Sequence, residues 1–224
     1  MDISRIIAGL AIAAGLYYVG YAVDGFNKRQ RYVEVRGLAE RVVKSDKAIW
    51  QITFATGAEN FADLNRQIVP QQELVRKFIL EQGFPEAAIQ KMAPQITENP
   101  RNIGMQHFSA RQTMTVETTD IDRVSKVSER VEPLLSAGVR VEINTVRYYF
   151  TSLNAIKPDM LREAAANAKQ AAEGFSRDAH TTVGGIKQAS QGLFSIGAPL
   201  TEYDQEGSVM KKVRVVTRME YYLK

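Results

Sequence analysis

The chain has 224 residues, 45% hydrophobic and 24% charged, with enough aliphatic and aromatic side chains to exclude a disordered polymer. It carries no cysteine, which excludes disulfides, thiolate metal sites, a cysteine nucleophile and a lipid anchor on cysteine. The net charge of +4 is spread along the chain with no long run of like charges. That distribution predicts an ordinary solvated surface and no nucleic-acid partner.

From Ile6 to Val23 the sequence IIAGLAIAAGLYYVGYAV contains no charge. These roughly eighteen residues are near the lower limit for a helix crossing a bilayer. Ile6, Ile7, Leu10, Ile12, Leu16, Tyr17, Tyr18, Val19 and Val23 are the expected membrane residues, with the tyrosines toward the interface. Two readings stay open. Gly20 and Ala22 have the small-residue spacing of a cleaved secretory signal. Without cleavage the segment is a signal anchor, and Gly9, Ala13 and Ala11, Gly15 offer small faces for helix packing. More basic residues follow the segment than precede it, which by itself favours a cytoplasmic domain, although large domains are translocated despite such a count.

After a polar linker, Tyr32 to Arg36 alternates as a strand does and ends at Gly37. Trp50, Ile52 and Phe54 alternate with Gln51, Thr53 and Ala55. Asn60 is a predicted N-cap for a helix burying Phe61, Leu64, Ile68, Val75, Phe78 and Ile79, ended by Gly83. Pro70 inside that pattern is expected to kink or split it. Phe108 to Thr118 is a second clear strand, and Asp120 caps a helix carrying Ile121, Val124, Val127, Val131, Leu134 and Leu135 up to Gly138. Val139, Val141 and Ile143 restart the alternation toward Tyr149. Pro158 suits the first turn of the longest helix, which runs to about Ala179 with an alanine face of Ala164, Ala165, Ala168, Ala171 and Ala172. Strands are predicted at Gly185 to Ser190 and Lys211 to Leu223, separated by a Gly/Ser-rich loop from Gly192 to Ser208.

This order predicts an α+β fold: an N-terminal transmembrane helix, then mixed or antiparallel sheet with packed helices. The expected boundaries are 1–24 for the anchor, 25–31 for the linker and 32–224 for the α+β domain.

Little in the chain suggests chemistry. His107 and His180 are far apart and lack metal-ligand spacing, so no metal and no cofactor are expected. His180 suits a helix C-terminus, where the macrodipole favours it. No G-x-S-x-G or phosphate-binding glycine loop occurs. Glu34 with Glu40, or Asp120 with Asp122, are the carboxylate pairs available for acid–base work, but Asp120 reads better as an N-cap and Asp122 as a first-turn acid. No catalytic residue is therefore assigned. Two aromatic–basic clusters, Arg147, Tyr148, Tyr149 and Phe150, and Arg218, Tyr221 and Tyr222, are the candidate interface residues, with ordinary sheet packing as the alternative.

Four segments, in order, resemble the SIMPL (DUF541) family of exported bacterial envelope proteins. They are VEVRGLAERVVKSDKAIWQITFATGAE, ILEQGFPEAAIQ, LREAAANAKQAAEGFSRDA and the alternating C-terminal strand. Together they cover Tyr32 to Leu223. Lys44-Ser45-Asp46 stands where Pro-Asp is usual, Pro70 interrupts the first helix, and His180 replaces an expected glycine. The resemblance implies a periplasmic α+β domain that forms homo-oligomers, linked to envelope stress and without an agreed activity. The expected function is thus a non-enzymatic scaffold anchored in the bacterial inner membrane. The alternative is a periplasmic ligand-binding module for a small molecule or an envelope polymer.

Overall fold

The structure is a computed structural model that describes residues 12–20, 31–100, 106–199 and 206–224. Residues 12–20 are helical (α1). The remaining elements are β1 (Tyr32–Lys44), β2 (Lys47–Ala58), α2 (Phe61–Glu81), a 3₁₀ turn (Glu86–Ala88), β3 (Ile89–Lys91), β4 (Gln95–Glu98) and β5 (Phe108–Thr118). After them come α3 (Ile121–Ser128), α4 (Glu132–Ser136), β6 (Arg140–Tyr149), α5 (Leu153–Asp178), β7 (Val183–Gln191), β8 (Ser195–Gly197) and β9 (Met210–Leu223). The chain divides into two compact units. The first comprises 1–41, 154–195 and 214–224, and the second 42–153 and 196–213.

In the second unit the strand order is β3-β5-β2-β6, with β4 also paired to β5. The β2–β5 and β2–β6 pairs are antiparallel. Alternation along β2 turns Ala48, Trp50, Ile52 and Phe54 to one face, where they are fully buried. That face packs with Leu64, Ile68, Val75 and Ile79 of α2, Ile121 and Val124 of α3, and Leu134 of α4. Trp50 sits edge-on to Phe78 at 6.2 Å and 5.9 Å from Phe84. Its indole N–H donates to Asn144 Oδ1 at 2.7 Å, and the Asn144 amide donates to Ser128 O, so the tryptophan's one polar atom is satisfied inside the core. The opposite face is polar, with Thr53 and Thr113 hydroxyls 2.9 Å apart. One end of this unit is fixed by Asp46, whose carboxylate accepts from Thr151 N, Thr151 Oγ1 and Ser152 N at 2.7, 3.0 and 2.8 Å. Burial alone would raise the Asp46 carboxyl, but these Ser152 and Thr151 donors outweigh it and hold the group below its ordinary value.

In the first unit the sheet order is β1-β9-β7. α5 rests on this sheet through a fourth-residue stripe of Met160, Ala164, Ala168, Ala172 and Ser176, all buried. The small side chains allow near backbone contact. A Cβ placed on Gly37 of β1 would overlap the Ala164 carbonyl oxygen and lie 2.7 Å from Ala168 N and 2.8 Å from the Ala164 carbonyl carbon. Asn167 completes the seat by donating to Leu38 O at 2.7 Å. On β9, Val213, Val215, Thr217, Met219 and Tyr221 are buried, as the period of two predicts.

Several expectations need correction. α2 is one helix through Pro70, and Phe61 at its start is exposed, touching Phe108 edge-on at 6.3 Å. The predicted helix after Asp120 is two, because Pro133 cannot donate a helical hydrogen bond and its ring opposes the preceding turn. Leu135 is consequently exposed. α5 begins at Leu153, placing Pro158 inside the helix and not in its first turn. β1 runs on past Arg36 to Lys44, β3 and β4 are additional strands, and the loop from Gly192 contains β8.

Candidate functional site

α1 is apolar and unshielded: Ile12, Leu16, Tyr17, Tyr18 and Val19 are all more than 60% exposed. Ile6, Ile7, Leu10 and Val23 lie outside the described residues. Among the described residues no helix is long and apolar enough to cross a membrane.

The carboxylates posed as pairs do not share a site. Asp120 Oδ1 accepts from Arg123 N at 3.1 Å as an N-cap, and Asp122 is bonded to Lys44 Nζ at 2.7 Å. The Lys44 hydrogen bond and charge hold the Asp122 carboxyl below its usual value. Glu34 pairs with Arg218 at 2.6 Å and Glu40 with Arg214 at 3.4 Å. His107 touches Asn99 O and, at 3.2 Å, Glu98. Among the described residues no group of three or more potential ligands is placed to hold a metal ion. His180 lies just beyond α5 with φ +53°, the left-handed region in which glycine is usual.

Each aromatic–basic cluster is divided by strand alternation. In the first unit Tyr221 is buried, its hydroxyl donating to Met219 Sδ at 3.4 Å, and burial followed by the charge of Glu173 pushes its ionisation up. Arg218 and Tyr222 are turned outward. In the second unit Tyr148 is buried in the core, and its backbone N–H donates to Glu206 O at 2.7 Å. Arg147 is exposed and meets Glu206 at 3.3 Å, while Tyr149 and Phe150 are half-buried.

Tyr149 and Phe150 form the wall of a cavity of about 470 Å³ with Ile49 and Ile196. Lys47, Thr151, Glu206 and Lys211 supply its polar groups. Register explains the assembly: Lys47 stands opposite Tyr149, and Ile49 opposite Arg147, on the outer face of the β2–β6 pair. Lys47 is bound to Glu117 at 2.5 Å, and the buried Lys211 reaches Glu206 O at 3.4 Å. Sequence reading placed the aromatic cluster but missed Ile49, Ile196 and Lys211, which join it only through tertiary pairing.

A further surface is the outer side of β7, which pairs with no strand among the described residues. Every residue from Gly185 to Gln191 is exposed, and β7 ends the β1-β9-β7 order. Gly192 N donates to Val216 O, and Leu193 beside it is 94% exposed.

No curated protein matches the chain. The family model SIMPL, described as a protein of unknown function (DUF541), matches residues 33–220. The chain belongs to the SIMPL family.

Proposed function

We propose that this protein is a non-enzymatic envelope protein, held in the inner membrane by its N-terminal segment, whose periplasmic part self-associates into an oligomeric scaffold. The observation that carries the reading is the open edge at β7. A terminal strand offers unpaired backbone donors and acceptors, and soluble proteins usually guard such an edge with charge, bulges or cover. Lys187 is the only charge on β7, and it is already engaged by Glu220 at 3.0 Å and by the Tyr32 ring at 3.2 Å. Two register shifts distort β7 between Val183 and Gln188. The regular stretch Gln188–Gln191, with Leu193 beyond it, is left for a second copy. The exposed apolar side chains of α1 support the anchor, since a bilayer removes such surface from water.

The test is the mass of the full-length protein in mild detergent, with the intact polypeptide mass taken from the same sample. A discrete oligomer retaining the N-terminal segment is expected, with Ser190→Lys plus Leu193→Asp reducing it to monomer. A wild-type protein that stays monomeric at high micromolar concentration overturns the reading.

A second reading is a ligand-binding module, favoured by the cavity at Tyr149 and Phe150. Its volume is in the range of about 300–1,000 Å³ typical of small-molecule sites, and its wall is largely apolar with a few polar groups. Saturable quenching of tyrosine emission by a small aromatic probe, lost in Ile49→Asp, is the expected signature.

A further inference from the structure

The outer face of the five-stranded sheet carries a second cavity, of about 510 Å³, whose lining is polar. Its floor is made by small residues of the central strand, Ala55 and Gly57. Pairing places Arg111 and Arg140 on either side of Ala55, and Ser109 beside Gly57. β4 then sets Gln95 opposite Arg111 and Thr97 opposite Ser109, so one row of amide and hydroxyl groups borders the trough. Asn99 is locked at its end, its amide donating to Gln106 O at 3.0 Å and Ser109 Oγ at 3.3 Å.

The basic side of the trough depends on a β-bulge. Thr53 pairs with Ile143 but Phe54 with Val141, so Glu142 is the extra residue. A bulge re-aims a side chain out of the regular alternation. Here it sends Glu142 to two guanidinium groups, Arg111 at 2.6 Å and Arg140 at 3.5 Å. One carboxylate thus faces two positive charges, both on exposed side chains. Arg111 uses Nε for its contact and Arg140 only a loose one, so planar N–H groups remain to meet an incoming oxyanion. Among the described residues no aromatic side chain lines the trough. The stacking platforms used for single-stranded nucleic acid, and the apolar pockets used for peptide side chains, are both lacking among these residues.

We propose that this trough binds a carboxylate-bearing oligosaccharide. The sugar carboxylate lies against Arg111 and Arg140, in competition with Glu142, and the hydroxyls face Gln95, Thr97 and Ser109. This proposal does not rest on self-association at β7, and the two are tested by different quantities.

The experiment is calorimetric titration of full-length protein in detergent with a galacturonate oligomer, a neutral glucose oligomer of the same length, and oligoglutamate. Saturable binding of the galacturonate alone is expected, weakening as salt is raised because the site is solvent-accessible. Arg111→Gln with Arg140→Gln should weaken it at least tenfold, and Glu142→Gln should tighten it several-fold by removing the competing carboxylate. Unchanged Trp50 emission and far-ultraviolet circular dichroism confirm that each variant is folded. Equal binding of the neutral sugar, equal or tighter binding of oligoglutamate, no effect of the double substitution, or no galacturonate binding at millimolar concentration would each overturn the proposal. A monomeric mass with intact galacturonate binding leaves this site standing and removes only the scaffold reading.

Discussion

Gly37→Ala tests the central packing contact of the first unit. The added methyl would overlap the Ala164 carbonyl oxygen and lie 2.7 Å from Ala168 N and 2.8 Å from the Ala164 carbonyl carbon, where ordinary contact begins near 3.4 Å. Both neighbours are helix backbone, so no rotamer change relieves the overlap. α5 must instead withdraw by more than about 1 Å, and a gap of even about 0.5–1 Å forfeits about a quarter to a half of the dispersion energy of each separated atom pair. Overpacking of a tight interior costs about 1–3 kcal/mol. The expected loss lies at the upper end, about 3 kcal/mol, since Ala164, Ala168 and Ala172 are fully buried against the sheet and all move together. That is a large part of a domain stability of about 5–15 kcal/mol. Urea unfolding should be followed by circular dichroism at 222 nm, which senses the long helix, because the single tryptophan is in the other unit. A change below about 0.5 kcal/mol, within the usual range of a surface substitution, would mean that α5 does not rest on Gly37 and that the register of helix on sheet is wrong.

Asp46→Ala should cost about 2 kcal/mol in the same assay, because it removes an acceptor serving three donors. Since the folded carboxyl titrates below its ordinary value, its stabilisation is present above about pH 4 and is lost as pH falls through the folded value. Asp46→Asn should therefore lose less stability than wild type in acid. His180→Gly should stabilise by about 0.5–1 kcal/mol, by relieving a positive φ. The buried Ser45 hydroxyl has no hydrogen-bond partner among the described residues, so Ser45→Ala should be neutral or stabilising by up to about 1 kcal/mol. A clear loss in thermal melting for either of these last two would contradict the geometry.

Strands with one buried face were the most legible part of the fold. β5 and β9 match their alternating segments to within a residue, since a period of two survives wherever one face meets a core. β3 and β4 were not legible. They are edge pieces of three and four residues with little burial, and only their partner β5 makes them strands. Proline misled in three ways. Pro70 is carried by a helix whose other turns are well packed, Pro133 breaks a short one, and Pro158 is absorbed inside a long helix seated on alanines. For the candidate sites, the sequence located Tyr149 and Phe150 but not their cavity. It did not reveal the Arg111–Glu142–Arg140 group at all, because a bulge in β6 is invisible to periodicity.

The residues that carry the resemblance have structural work in this chain. Gly37 admits the α5 backbone, Gly83 ends α2 with φ +85°, and Ala168 and Ala172 are the buried stripe of α5. Asp46 ties the β1–β2 turn to the start of α5. Even the departure at His180 concerns backbone conformation. A pattern built from close approaches and turns transmits an architecture and leaves its surfaces free to vary. The groups offered here for partner and ligand recognition, at the β7 edge and in the polar trough, include none of those pattern residues. Family membership therefore predicts the fold of this protein far better than its task, and the discriminating experiments are those aimed at Ser190, Leu193, Arg111 and Arg140 rather than at the family motif.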